Sequence, residues 1–207
     1  MICLNGRFLL VEKMMDRLPI QEHEEEILMF LEEYPVIVVV GETGSGKTTQ
    51  IPLFLHRAGY AEKGKIGITQ PRRIAAISIA EYVAENLGSK VGEMAGYKIR
   101  FDDESASAPI KFMTDGILLR EAQLDPDLTE YPVAMIDEAH ERSLIIDFAL
   151  GILKRALKKR DDLKVIVTSA TIDPKKFADY FNGAPIISVS GRTYPVEVIY
   201  SPPPKGK

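Results

Sequence analysis

One cysteine, no tryptophan and no excess of positive charge mark this 207-residue chain. The single cysteine, Cys3, rules out an internal disulfide framework and any four-cysteine zinc or iron–sulfur site. A reducing, intracellular setting is the default for such a chain, with cytoplasm and nucleus undistinguished. The longest apolar runs, such as Val36–Val40, are far too short to span a bilayer, so no membrane association is expected. The opening residues hold no charged leader followed by a small-residue cleavage site, and read as no signal peptide. A formal net charge of −4 argues against coating nucleic acid through bulk charge, while a local basic patch stays open.

An apolar content of 45% and a charged content of 27% suit one globular domain, with or without a short appendage. Short Val/Ile runs alternate with helical patterns. Strands are expected at Val36–Val40, Lys65–Thr69, Tyr97–Phe101, Ile110–Thr114, Val133–Ile136, Lys164–Thr168 and Ile186–Val189. Helices are expected at Thr48–Ala58, Arg72–Leu87, Gly116–Ala122, Ser143–Lys159 and Pro174–Phe181. The strands are continuously apolar, as when helices cover both faces, so the fold class is α/β with a mostly parallel sheet. The acidic run Gln21–Glu33 and the basic run Lys154–Arg160 both read as solvated helix faces. The Pro-rich end, Ser201–Lys207, reads as a linker.

The stretch "GETGSGKT", Gly41–Thr48, follows the first strong strand and fits G-x-x-x-x-G-K-[ST] in full. Gly41, Gly44 and Gly46 allow a tight turn whose amides point inward at phosphate oxygens. Helix initiation at Lys47–Thr48 adds the partial positive charge of a helix N-terminus. The ammonium of Lys47 can reach the β- and γ-phosphates of ATP, and the Thr48 hydroxyl can ligate Mg²⁺. The nucleotide-binding set is therefore Gly41, Glu42, Thr43, Gly44, Ser45, Gly46, Lys47, Thr48 and Thr49. A bare Gly-rich turn is the competing reading, but a strand precedes the motif and a helix follows it.

A second puzzle is the segment "PVAMIDEAHERS", Pro132–Ser143, where a buried strand ends in carboxylates. Magnesium bound to a triphosphate needs an acidic oxygen across from Thr48, and Asp137 is placed to give it. Glu138, the adjacent carboxylate, fits a base that orients the attacking water. Residue types alone leave His140 as a metal ligand or as a satisfied structural histidine. Glu141 and Arg142 read as capping or surface charges, or as coupling groups.

At this point the motifs resemble those of DEAH-box helicases, over about Leu18 to Tyr200. Five stretches in the family's order carry the resemblance: "GETGSGKTTQ" (Gly41–Gln50), "TQPRRIAA" (Thr69–Ala76), "TDGILLRE" (Thr114–Glu121), "DEAHER" (Asp137–Arg142) and "SAT" (Ser169–Thr171). The resemblance implies a RecA-like P-loop NTPase domain at 18–200, the first of two, between an N-terminal extension at 1–17 and a linker at 201–207. It implies that Thr48, Asp137 and Glu138 hold Mg²⁺ and that Lys47, Asp137 and Glu138 serve hydrolysis. Ser169 and Thr171 would couple the site, through His140, to movement of the second domain. On residue chemistry alone, Ser169 and Thr171 are turn and capping groups. The resemblance also places Tyr82 where an arginine often stacks on adenine.

By the same resemblance, Arg72, Arg73, Thr114 and Asp115 face a nucleic-acid backbone, RNA first and DNA second, without sequence preference. A carboxylate repels phosphate, so Asp115 is expected as an N-cap beside a contacting Thr114. The Gln-Arg-x-Gly-Arg arginines of a second RecA-like domain are missing, as are the later C-terminal domains that help enclose RNA. Arginine fingers contribute about 10³–10⁵ in rate, so little hydrolysis is expected from this chain alone. Competing readings are another P-loop enzyme, such as a kinase or transporter ATPase, a DNA-directed DEAH helicase, and a non-catalytic nucleotide-binding module. No Leu-Ser-Gly-Gly-Gln stretch supports a transporter, the lone cysteine counts against iron–sulfur DNA helicases, and Lys47 with Glu138 counts against a non-catalytic module.

Overall fold

Segments that are apolar at every position bury both faces of a sheet at once. In β1 (Val36–Gly41), Val36 and Val38 point into one apolar cluster, and Ile37 and Val39 into the other. The computed structural model describes residues 17–141, 143–170 and 173–190. Cys3 and nearly all of the expected N-terminal extension, Arg142, Thr171 and the Pro-rich end lie outside the described residues.

The further strands are β2 (Ile66–Gln70), β3 (Ala95–Ile99), β4 (Asp102–Asp103), β5 (Ile110–Thr114), β6 (Val133–Ile136), β7 (Lys164–Ser169) and β8 (Ile186–Val189). They join β1 in one sheet of order β4-β3-β5-β2-β6-β7-β1-β8. Among the described residues only the β3–β4 ladder is antiparallel. Helices α1 (Glu24–Glu33), α2 (Lys47–Arg57) and α3 (Arg73–Asn86) cover one face through Ile27, Leu31, Ile51, Phe54 and Val83. Helices α4 (Asp115–Leu124), α5 (Leu144–Ala156) and α6 (Lys175–Tyr180) cover the other through Leu118, Ile146, Leu153 and Phe177. Truncating a wholly buried member such as Ile37 to Ala costs about 2–5 kcal/mol, because the cavity collapses only partly. None of the described helices is long and apolar enough to cross a membrane.

A buried polar cluster fastens α4 to the sheet. Lys111 Nζ, on β5, donates to Glu121 Oε1 at 2.8 Å and to the Tyr131 hydroxyl at 2.5 Å, and that hydroxyl donates to Glu121 Oε2. No apolar pattern announces it.

Two expectations need correcting. The strand expected at Tyr97–Phe101 lies two residues earlier, because the chain turns at Arg100 and Phe101 into β4. Phe101 turns with a φ of 70°, a conformation that an aromatic residue does not advertise. Secondly, the basic run is not wholly a solvated face. Helix α5 ends at Ala156, and the side chain of Arg160 is mostly buried. Its guanidinium donates to the carbonyls of Leu128 at 2.6 Å and Tyr131 at 3.0 Å, and pairs with Asp162 at 2.6 Å. Those carbonyls belong to the loop entering β6, outside any strand ladder; that of Leu128 also accepts the Tyr131 amide at 3.0 Å.

The parallel strands bring their carboxyl ends to one edge of the sheet. Open α/β sheets bind ligands at that edge.

Candidate functional site

The loop after β1 turns through two left-handed glycines, Gly44 at φ 86° and Gly46 at φ 92°. A Cβ on Gly46 would also come within 2.9 Å of Ile20 and Leu18, so the loop packs against the short 3-10 turn Pro19–His23. The Ile20 amide donates to the Ser45 carbonyl at 3.0 Å, and the Ser45 hydroxyl to the Glu42 carbonyl at 2.8 Å. These ties hold the loop's shape in the absence of a capping side chain on α2. Thr49, one turn in, donates to the Gly46 carbonyl at 3.3 Å.

Lys47 opens α2 and is 4% exposed. Its ammonium lies in the mouth of the loop, donating to the carbonyls of Gly41 at 2.6 Å and Glu42 at 2.9 Å and to the Ser45 hydroxyl at 3.1 Å. Burial pushes its pKa down, while Asp137 and Glu138 pull it back up. The carboxylates that follow β6 thus oppose the loss of charge that burial favours.

Asp137, at the end of β6, is 0% exposed and receives donors from three other elements. The Thr48 hydroxyl donates to its Oδ2 at 2.6 Å, the Gln70 amide to the same oxygen at 2.7 Å, and the Thr168 hydroxyl to Oδ1. These donors meet the hydrogen-bonding demand of a carboxylate that burial would otherwise leave unpaired. Glu138 follows at φ 52°, in the left-handed region, and lines the cleft. Burial raises its pKa, Asp137 adds to that rise, and His140 and Lys47 oppose it.

His140 Nδ1 accepts the Ala170 amide proton at 3.2 Å. The proton of the neutral ring therefore sits on Nε2, 3.2 Å from Glu138 Oε2. Both ring nitrogens are engaged within the protein, and the metal-ligand reading of His140 falls away. Among the described residues no group of three or more His, Cys, Asp or Glu side chains could hold a metal ion. Any cation here must rely on mixed oxygen donors. Ser169 is buried at the end of β7, abreast of Val40, and Thr171 lies outside the described residues.

A cleft of about 310 Å³ joins the loop to α3. Lys47, Thr48 and Glu138 line its polar end, and Leu18, Ile79 and the half-exposed Tyr82 its apolar end. Thr43 and Gly44 form part of the rim.

Arg72 is the N-cap of α3 and Arg73 its first residue, so the helix starts one residue later than expected. Arg72 is 78% exposed and pairs with Glu141 at 3.3 Å. Register places Gln70 of β2 beside Thr114 of β5, so the two stretches that the resemblance assigns to a nucleic-acid backbone lie abreast at the same edge. Thr114, not Asp115, is the N-cap of α4, and it makes no side-chain cap bond. Asp115 is the first helical residue, 5% exposed, with Oδ1 unpartnered. Burial raises its pKa, and Glu141 and Asp137 act in the same direction against a pull from the Thr69 hydroxyl. The capping role expected of Asp115 is displaced because β5 runs as far as Thr114 and leaves the extended N-cap conformation there.

Residues 19–180 match the family model described as DEAD/DEAH box helicase. The chain belongs to that family. The ATP-dependent RNA helicase HrpA of Borreliella burgdorferi is 55% identical to it over 188 residues, covering 90% of this chain and 23% of that protein. HrpA of Escherichia coli is 55% identical over 188 residues, covering 90% of this chain and 14% of the relative. The HrpA homolog of Haemophilus influenzae is 56% identical over 189 residues with the same coverage. The chain thus spans less than a quarter of the length of these relatives. Family membership removes the kinase and transporter readings.

Within this helicase-family chain, sequence reasoning missed two side chains that orient Asp137. Gln70 lies 67 residues away in sequence and Thr168 lies 31 away. The available signal was a polar residue at the end of an apolar strand, as in "GITQ" and "VTS". That signal marks a site without naming the partner.

Proposed function

We propose that this chain is the first motor domain of an ATP-dependent RNA helicase, with its RecA-like domain at residues 18–200. The observation that carries this reading is the 2.6 Å hydrogen bond between Thr48 and Asp137, which brings the phosphate loop and the acidic strand end to one point. The loop amides and Lys47 bind the β- and γ-phosphates of ATP, with the N-terminus of α2 behind them. Tyr82 stacks against the adenine at the apolar end of the cleft.

The donors at that point suit Mg²⁺, since a hydroxyl and a carboxylate oxygen are the hard ligands it prefers. Thr48 and Asp137 would hold the ion, with Glu138 beside them. When bound, it supplies charge neutralisation of the phosphates. Glu138 takes a proton from the attacking water, and the Nε2 hydrogen of His140 orients its carboxylate. His140, Ser169 and Thr171 relay the nucleotide state toward a second RecA-like domain, whose closure completes the site. Arg72, Arg73 and Thr114 hold the backbone phosphates of the strand, and buried Asp115 shapes that edge rather than touching phosphate. The preference for RNA over DNA rests on the relatives' names.

The test is a titration of the chain with a fluorescent ATP analogue and Mg²⁺, repeated with Lys47→Ala, then with labelled single-stranded RNA and DNA. Nucleotide binding that Lys47→Ala abolishes is expected, together with strand binding. Unchanged affinity in Lys47→Ala overturns the phosphate cradle.

A further inference from the structure

We infer that Gln70 is a positioning residue that couples occupancy of the strand-binding turn to Asp137 in the ATP site. This rests on the helicase reading above. Strands β2 and β6 are parallel neighbours with Thr69 opposite Ile136, which sets Gln70 abreast of Asp137. Both side chains are buried, Gln70 at 2% exposure and Asp137 at 0%. The 2.7 Å bond from Gln70 ends on the oxygen that also receives the Thr48 hydroxyl. Of the three donors to Asp137, Gln70 alone is followed at once by Pro71, Arg72 and Arg73, the turn proposed to grip the strand.

Pro71 fixes its own φ and restricts Gln70, so little slack separates the amide from the arginines. Arg72 reaches back to Glu141, four residues beyond Asp137, giving a second tie between the same two segments. That pair is exposed, and a strand phosphate can take Arg72 from Glu141. The turn then moves relative to β6, and the buried amide passes the movement to Asp137. Glutamine suits this place: it reaches Oδ2 with a neutral donor, whereas a second carboxylate would repel Asp137. Thr168 holds the other oxygen from β7, a strand with no strand-gripping turn.

The experiment measures affinity of the chain for a fluorescent non-hydrolysable ATP analogue with Mg²⁺, with and without a saturating single-stranded RNA oligonucleotide. The native chain is expected to show a strand-induced change in nucleotide affinity of about fivefold or more. Gln70→Met should reduce that change to less than about twofold while nucleotide still binds. Thr168→Val should weaken Mg²⁺-dependent binding yet keep the strand-induced change. Should Gln70→Met fail to fold by circular dichroism, Gln70→Asn, one methylene too short, makes the same comparison. Native-like coupling in the folded Gln70 variant overturns the inference. So does equal loss of coupling in Thr168→Val, or a native chain that binds both ligands independently. A chain that binds neither ligand overturns the helicase reading, and this inference with it.

Discussion

His140 presents Nε2 to Glu138 Oε2 at 3.2 Å, because its other nitrogen is occupied by the Ala170 amide. One imidazole thus joins the proposed base to the strand end that carries Ser169. Its tautomer is imposed by the backbone amide just past β7, so any shift of that segment changes the group facing Glu138.

A pH dependence follows from this pairing. Burial and Asp137 hold the Glu138 pKa above its ordinary value, while His140 opposes the rise. A base acts when deprotonated, so on the proposed reading ATP turnover, measured with the proposed second motor domain present, should climb as pH passes upward through that raised pKa. His140→Ala removes an opposing influence and should move the acid limb to higher pH. Glu138→Gln should keep nucleotide and lose about 10²–10⁴ in turnover, the usual contribution of a positioned base. Profiles of kcat against pH for the native protein and His140→Ala decide the matter; superimposable acid limbs would remove His140 from this role.

Asp115 bears on stability. Its carboxylate is buried beside Glu141 and Asp137 with one oxygen unpartnered, and its pKa is raised above the ordinary 3.8. A raised carboxyl pKa means that the folded state binds the proton more tightly than the unfolded state. Its favourable contribution is complete below the unfolded value and is lost as pH rises through the folded one. Asp115→Asn should therefore stabilise the chain near neutral pH, by about 1 kcal/mol, or about 2–4 °C in Tm. The gain should vanish as pH falls below the unfolded value. Thermal melts of both proteins across that range test it, and a lower Tm for Asp115→Asn at neutral pH defeats the argument.

How far such features were legible depends on how local they are. The phosphate loop and the strand ahead of it are written in contiguous residues, Val36–Thr48, and two of its three glycines, Gly44 and Gly46, make the tight turn in the left-handed region. Asp137 was legible as a carboxylate out of place at a strand end. Its partners Gln70 and Thr168 were not, because their meeting depends on the order β2-β6-β7 in the sheet. Arg160 looked like one more surface cation because the carbonyls it satisfies lie about 30 residues upstream.

Arg160 supplies a third prediction. Arg160→Ala leaves the Leu128 and Tyr131 carbonyls without that donor at the entry to β6. A loss of about 1–3 kcal/mol is expected in urea unfolding. Lysine should rescue little of it, since a single ammonium cannot reproduce the planar fork. A full rescue by Arg160→Lys would reduce the clamp to simple charge.

Strand binding gives the last prediction. Arg72 is held on the outside by Glu141 at 3.3 Å, so phosphate must compete with a carboxylate for it. Glu141→Gln should release Arg72 and strengthen RNA binding, whereas Arg72→Ala with Arg73→Ala should weaken it by about tenfold or more. The weakening should be alike for oligonucleotides of different sequence, because phosphates carry no base identity. The slope of log affinity against log salt should flatten by about 0.7 for each single-strand phosphate that the protein ceases to neutralise. Fluorescence anisotropy over a salt series distinguishes the possibilities. A loss confined to one sequence means that the arginines read bases, and an unchanged slope means that they never met phosphate.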